Sequence, residues 1–161
     1  MKDLLLVIDM QEWFRDKESE NILENIKNLI SNFSWKVIFT KFKNDKNSLF
    51  EKQLNWTKFQ KIEECRLFKE LQKEDNIELW HNSYTILNDE LKQIIKKDKI
   101  EKVYLCWIYT DVCIIKTAMD LFDYGIETFV IEKACASLHG KNNHKYAIDS
   151  LKHILWKEHI I

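Results

Sequence analysis

The sequence predicts an α/β fold: a three-layer, doubly wound (Rossmann-like), mostly parallel sheet of about six strands with helices on both faces. Two observations carry this. Apolar runs of strand length recur along the chain, and segments with apolar residues at helical spacing separate them. The first run, LLLVID at 4–9, stays apolar until Asp9, which suits a strand covered on both faces.

The later strands are read at 36–40 (KVIFT), 77–80 (IELW), 103–107 (VYLCW) and 127–131 (ETFVI), with a short terminal strand at 159–161. Helical spacing joins Ile22, Ile26, Leu29 and Ile30, then Leu67, Phe68 and Leu71, then Leu87, Leu91, Ile94 and Ile95. It returns at Ile114, Ala118, Leu121 and Phe122, and again from Tyr146 through Ile148 and Leu151 to Leu155. Strand alternating with helix implies right-handed crossovers between parallel strands. Residues 43–66 lack a clear period, and a long irregular stretch in a compact domain is often functional.

A chain of 161 residues is long enough for one core, so a single domain over 1–161 is expected. No apolar run approaches the ~20 residues of a membrane span. The N-terminal MKDLLLVIDMQ contains Asp9 and no small-residue cleavage site, so it reads as a strand and not a signal segment. Net charge is −1 with both signs interspersed, which leaves no basic stripe for nucleic acid and points to small molecules or proteins as partners. Four cysteines (65, 106, 113 and 135), none at C-x-x-C spacing, predict free thiols and a reducing, cytoplasmic setting.

Ligands of open α/β sheets bind beyond the carboxyl ends of the strands, which singles out Asp9, His81 and the segment from Tyr109 to Cys113. Thr110 is placed to cap the fourth helix, with Cys113 at its third position. A thiolate there gains from free N–H groups and the helix dipole, and the same N–H groups suit an oxyanion. The residues alone favour a small buried Cys113 and a surface His81, and they fit a loop-anchoring Asp9 as well as a catalytic one. Trp13, Phe14, Phe42, Trp56, Trp107 and Tyr109 read either as walls of an apolar ligand pocket or as core and interface packing. His139 and His144 have no ligand spacing, and the lack of a glycine-rich phosphate loop argues against a nucleotide-binding domain.

LLVIDMQEWF at 5–14 and YTDVCIIKTAMDLFDYGIETFVIEKACAS at 109–137 resemble the isochorismatase-like cysteine hydrolases, a group that includes nicotinamidases. The resemblance covers nearly the whole chain and makes Asp9 the general base and Cys113 the nucleophile. The family's lysine, three residues before a tyrosine in K-x-x-Y-S, is replaced in HNSYT by His81, with Tyr84 in the tyrosine's place. The resemblance further implies a cis peptide between Ile108 and Tyr109, with the N–H groups of Tyr109 and Cys113 aimed at one oxyanion. Trp107 stands where a glycine is common. The run FTKFKNDKNS at 39–48 lacks the histidine of the nicotinamidase metal site, so no catalytic metal and no other cofactor is expected. The implied chemistry is hydrolysis of a C–N bond in a small amide or carbamoyl compound through a thioester, with Asp9 also activating the water, in a homo-oligomer. The alternative is a catalytically impaired homologue that binds a metabolite or serves as an assembly protein, because His81 replaces the lysine.

Overall fold

Five strands form one parallel sheet in the computed structural model, which describes residues 2–161: β1 (Asp3–Val7), β2 (Lys36–Phe42), β3 (Ile77–His81), β4 (Lys102–Trp107) and β5 (Glu127–Cys135). The helices are α1 (Lys17–Asn32), α2 (Leu49–Leu54), α3 (Asp89–Asp98), α4 (Ile115–Asp123) and α5 (Lys141–Ile154), completing a three-layer α/β fold. Side chains from Leu4 through Ile8 are fully buried, as the uninterrupted apolar run predicts for a strand covered on both faces.

Sheet order is β3-β2-β1-β4-β5. The chain therefore winds outward from β1 through β2 to β3, then crosses back to lay β4 against the other side of β1. The direction of winding reverses between β1 and β4. Their loops diverge at that point and open a crevice at the carboxyl end of the sheet.

Local sequence explains where the helices start. Asp16 caps α1, accepting from the Ser19 N–H at 2.8 Å while Ser19 Oγ accepts from the Asp16 N–H at 2.8 Å. Asn88 caps α3 through the Leu91 N–H at 2.9 Å.

Two expectations change. Of the terminal strand at 159–161, only a parallel bridge between Ile160 and Val130 forms, because a 3₁₀ turn at Lys157–His159 occupies the preceding residues. The sheet thus has five strands among the described residues where about six were expected. The helix read at 67–71 is only a 3₁₀ turn, Lys69–Leu71. Its backbone is engaged elsewhere: Phe68 N–H donates to Met10 O at 2.7 Å, and Arg66 O accepts from Glu12 N–H at 2.8 Å. Those groups are then unavailable for helical bonds.

Residues 43–66 fold over the end of the sheet as α2 and a 3₁₀ turn at Ile62–Cys65. Phe59 and Cys65 bury with Phe42 in a second apolar cluster, and Phe50 and Trp56 pack against it. Gln11, fully buried, staples this layer to the sheet. Its Nε2 donates to Phe42 O at 3.0 Å and Cys65 O at 3.2 Å, and its Oε1 accepts from Phe42 N–H at 2.9 Å.

Leu105 is fully buried in β4, between β1 and β5. Leu105→Ala is expected to lower the unfolding free energy in urea by about 2–5 kcal/mol, and a loss below about 1 kcal/mol would contradict this packing.

Candidate active site

Asp9 leaves β1 in the left-handed region, with φ 44°, a conformation that aspartate tolerates better than most residues. Its N–H lies 3.1 Å from Thr40 Oγ1 and 3.2 Å from Thr40 O. The turn carries the side chain into the interior, where the residue is 1% exposed. A carboxylate there needs partners, and two converge on Oδ1: Thr40 Oγ1 donates at 2.6 Å and His81 Nε2 lies at 2.7 Å. Thr40 and His81 come from β2 and β3, so the contact ties together the ends of three adjacent strands.

His81 is as deeply buried as Asp9, and its Nδ1 lies 2.8 Å from Ser83 O. Both ring nitrogens thus face acceptors, which is the environment of an imidazolium. Burial opposes that charge, but the Asp9 carboxylate, its hydrogen bond and the Ser83 carbonyl outweigh it and hold the His81 pKa above the usual histidine value.

Cys113 arrives from the other side of the crevice. Thr110–Ile114 forms a single π-helical turn and α4 begins only at Ile115, so Thr110 is not the helix cap and Cys113 precedes the regular helix. The reason is visible at Thr110, whose hydroxyl donates to Ala136 O at 2.6 Å and not to a helix N–H. That hydroxyl also accepts from His144 Nδ1 at 2.9 Å, which ties α5 to the turn. Ile114 N–H and Val112 N–H both reach Tyr109 O. No acceptor among the described residues takes the N–H of Tyr109. The expected cis bond between Ile108 and Tyr109 is not found: the peptide is trans, and Tyr109 pairs with Ser137 in an antiparallel bridge.

Asp9 and Cys113 open on one cavity of about 200 Å³. Phe14, Phe42, Trp56, Tyr84, Trp107 and Tyr109 line it, as expected of the aromatic set. Trp107 is fully buried and meets Phe14 edge to face at 5.5 Å. Two expected residues are not among the lining. Trp13 is about half exposed and packs edge-on against Phe59 at 6.4 Å, because the 3₁₀ turn Glu12–Phe14 sends Phe14 to the cavity in its place. His81 stands behind Asp9, sealed by its two hydrogen bonds.

Cys113 is half-buried, and its thiol has no hydrogen-bond partner among the described residues. Burial, then the charges of Asp9 and Asp111, push its pKa well above the usual thiol range. The group at rest is therefore a thiol. Burial likewise raises the Tyr109 phenol to about 12, so it remains a donor.

Sequence reading missed Thr40, Phe50, Ser83 and His139. Phe50 and Ser83 line the cavity from segments without regular period, and no spacing marks them. Thr40 and His139 stood at strand ends, the first in β2 and the second in the loop after β5, so the strand-end rule applied to every strand finds both. A metal centre of the nicotinamidase kind does not fit these residues. No group of three or more His, Cys, Asp or Glu placed to hold an ion occurs among the described residues, and Asp45, in the segment after β2, accepts from Asn82 at 2.7 Å.

The family model of the isochorismatase domain matches residues 3–157. The chain belongs to the isochorismatase family. A relative in Rattus norvegicus, isochorismatase domain-containing protein 2, is 32% identical over 71 residues, covering 44% of this chain and 33% of its own length. The alignment thus spans about a third of that relative. Nicotinamidase from Bacillus subtilis superposes with a TM-score of 0.83 at 20% identity over 96% of this chain and 97% of its own. N-carbamoylsarcosine amidase from Thermoplasma acidophilum gives 0.83 at 18% identity, over 96% and 93% of the two chains. At these identities the likeness to the two structures is one of fold. In this chain Asp9 and Cys113 share one cavity at the crevice between β1 and β4.

The raised His81 pKa fixes the sign of a pH effect. A group whose folded pKa exceeds its unfolded value stabilises fully below about pH 6.5 and loses that contribution as pH rises through the folded value. The stability margin of the wild type over His81→Gln, measured by denaturant unfolding from about pH 6 to about pH 9, is therefore expected to narrow with rising pH. A constant margin, or a His81 ring titrating below the free histidine value by NMR, would contradict the ion pair.

Proposed function

We propose that the chain is a metal-independent cysteine hydrolase that cleaves the C–N bond of a small amide or carbamoyl compound through a thioester on Cys113. The observation that carries this reading is the single aromatic-walled cavity shared by Asp9 and Cys113. The names of the two structural neighbours, an amidase of a carbamoyl compound and a nicotinamidase, supply the substrate class.

A thiol whose pKa lies above the usual range needs a base beside it at the moment of attack. Asp9 takes the Cys113 proton as sulfur bonds to the acyl carbon. The oxygen of the tetrahedral intermediate takes hydrogen bonds from the backbone N–H groups of Tyr109 and Cys113. Collapse breaks the C–N bond, and the amine leaves with the proton held by Asp9. His81 and Thr40 do not touch the reacting atoms. They are positioning residues that hold Asp9 Oδ1. The aromatic walls suit a flat or apolar substrate body.

A second reading, a catalytically impaired homologue that binds a metabolite, is favoured by one observation. Among the described residues, the charges that act on the Cys113 thiol, Asp9 and Asp111, are negative, and both nitrogens of His81 are already engaged.

Release of ammonia or amine from a panel of small amides and carbamoyl compounds separates the two. The hydrolase reading predicts turnover that falls by about 10³-fold or more in Cys113→Ala and about 10²-fold or more in Asp9→Asn. Turnover that survives Cys113→Ala would overturn it. If replacing the lysine detunes the thiol, His81→Lys speeds alkylation of Cys113 by iodoacetamide at neutral pH by about tenfold, the effect of one pKa unit. An unchanged rate would remove that explanation.

A further inference from the structure

A thioester mechanism has a second half, in which water must lose a proton as it attacks. By residue type the bases that line the cavity are Asp9 and His139. They occupy opposite positions. Asp9 lies at the cavity floor, 1% exposed, with Oδ1 held by two donors. The His139 side chain is 52% exposed, so it stands at the rim where water enters.

His139 is also held as an acid–base residue is held. Its Nδ1 lies 2.6 Å from Asp111 Oδ2, and a carboxylate accepts there, so Nδ1 carries the proton. The neutral ring then has its lone pair on Nε2, which has no hydrogen-bond partner within 3.5 Å among the described residues. Asp111 is mostly buried, and its other oxygen has no partner, so the carboxylate serves His139 alone. The ring leans on Tyr109 at 5.3 Å, and the His139 N–H donates to Ser137 Oγ at 3.0 Å. Ser137 in turn bridges Tyr109, so the segment carrying His139 is fastened to the turn carrying Cys113.

We infer that His139, oriented by Asp111, is the base that activates the water hydrolysing the Cys113 thioester, a step the family resemblance assigns to Asp9. The inference rests on the hydrolase reading above. The water oxygen bonds to the thioester carbon as its proton passes to His139 Nε2. The intermediate collapses with cleavage of the C–S bond, releasing the acid. The imidazolium proton then restores the Cys113 thiol. Asp9 serves acylation and His139 serves deacylation, so each half-reaction has its own base.

p-Nitrophenyl acetate separates the two halves, because p-nitrophenolate leaves without needing a proton. The wild type is expected to give a burst of one p-nitrophenolate per chain followed by steady release. His139→Asn, which keeps a donor for Asp111 but loses the base, is expected to keep the burst while steady release falls about 100-fold. The acetyl adduct on Cys113 then accumulates in the intact mass. Asp111→Asn is expected to shift deacylation in the same direction by less. A His139→Asn variant that deacylates at the wild-type rate overturns the inference and leaves the hydrolase reading standing. Loss of the burst in that variant also overturns it, by making the dyad a support for the Cys113 turn. Absence of any burst in the wild type overturns the hydrolase reading, and the inference with it.

Discussion

A carboxylate taken out of water has to be paired, and the site is built around meeting that demand at Asp9. Thr40 and His81 meet it from β2 and β3, so a single acceptor oxygen joins the ends of three strands. The left-handed backbone of Asp9 follows, since it is what turns the side chain inward after β1. The position of His81 answers the same demand. A histidine short enough to sit behind Asp9 spends both nitrogens on Asp9 and Ser83, so its charge serves the carboxylate and not the thiol. Asp9 and His81 thus form a buried pair behind the cavity that Cys113 lines.

Topology supplies the opposite wall. The reversal of winding between β1 and β4 opens a crevice with Asp9 on one lip and the Cys113 turn on the other. That turn is shaped by bonds it makes sideways, Thr110 to Ala136 and to His144. Because those groups are spent laterally, the turn does not close as a capped α-helix, and the N–H of Tyr109 is left without an acceptor among the described residues. Gln11 performs the equivalent task for the lid of aromatic residues, fixing the 43–66 layer over the sheet end. The shape of the turn and the aromatic wall of the cavity both follow from where backbone bonds are directed.

The sheet was legible because period and burial coincide: LLLVI is apolar throughout, and every side chain from Leu4 to Ile8 is buried. Asp9 and Cys113 were legible for a related reason, since strand ends in this architecture point at the ligand crevice. The misread parts are those where tertiary bonds override local pattern. Leu67, Phe68 and Leu71 have helical spacing, but the backbone of Arg66 to Phe68 pairs with the loop after β1. Thr110 has the chemistry of a cap, but Ala136 takes its hydroxyl. Trp13 and Phe14 are equivalent in the sequence, and only a three-residue turn decides which one reaches the cavity. His139 was discounted for want of spacing, although its partner Asp111 is 28 residues away and no local pattern records such a pair.

The central claim is that Cys113 is the nucleophile and that buried Asp9 is its base. Acid quench of the protein with a turned-over amide, followed by peptide mapping in the mass spectrometer, tests this most directly. The account predicts an acyl group on Cys113, absent from Cys65, Cys106 and Cys135, and lost when Asp9 is replaced by asparagine. An acyl group on one of the other three cysteines, or an undiminished Cys113 adduct in Asp9→Asn, would contradict it.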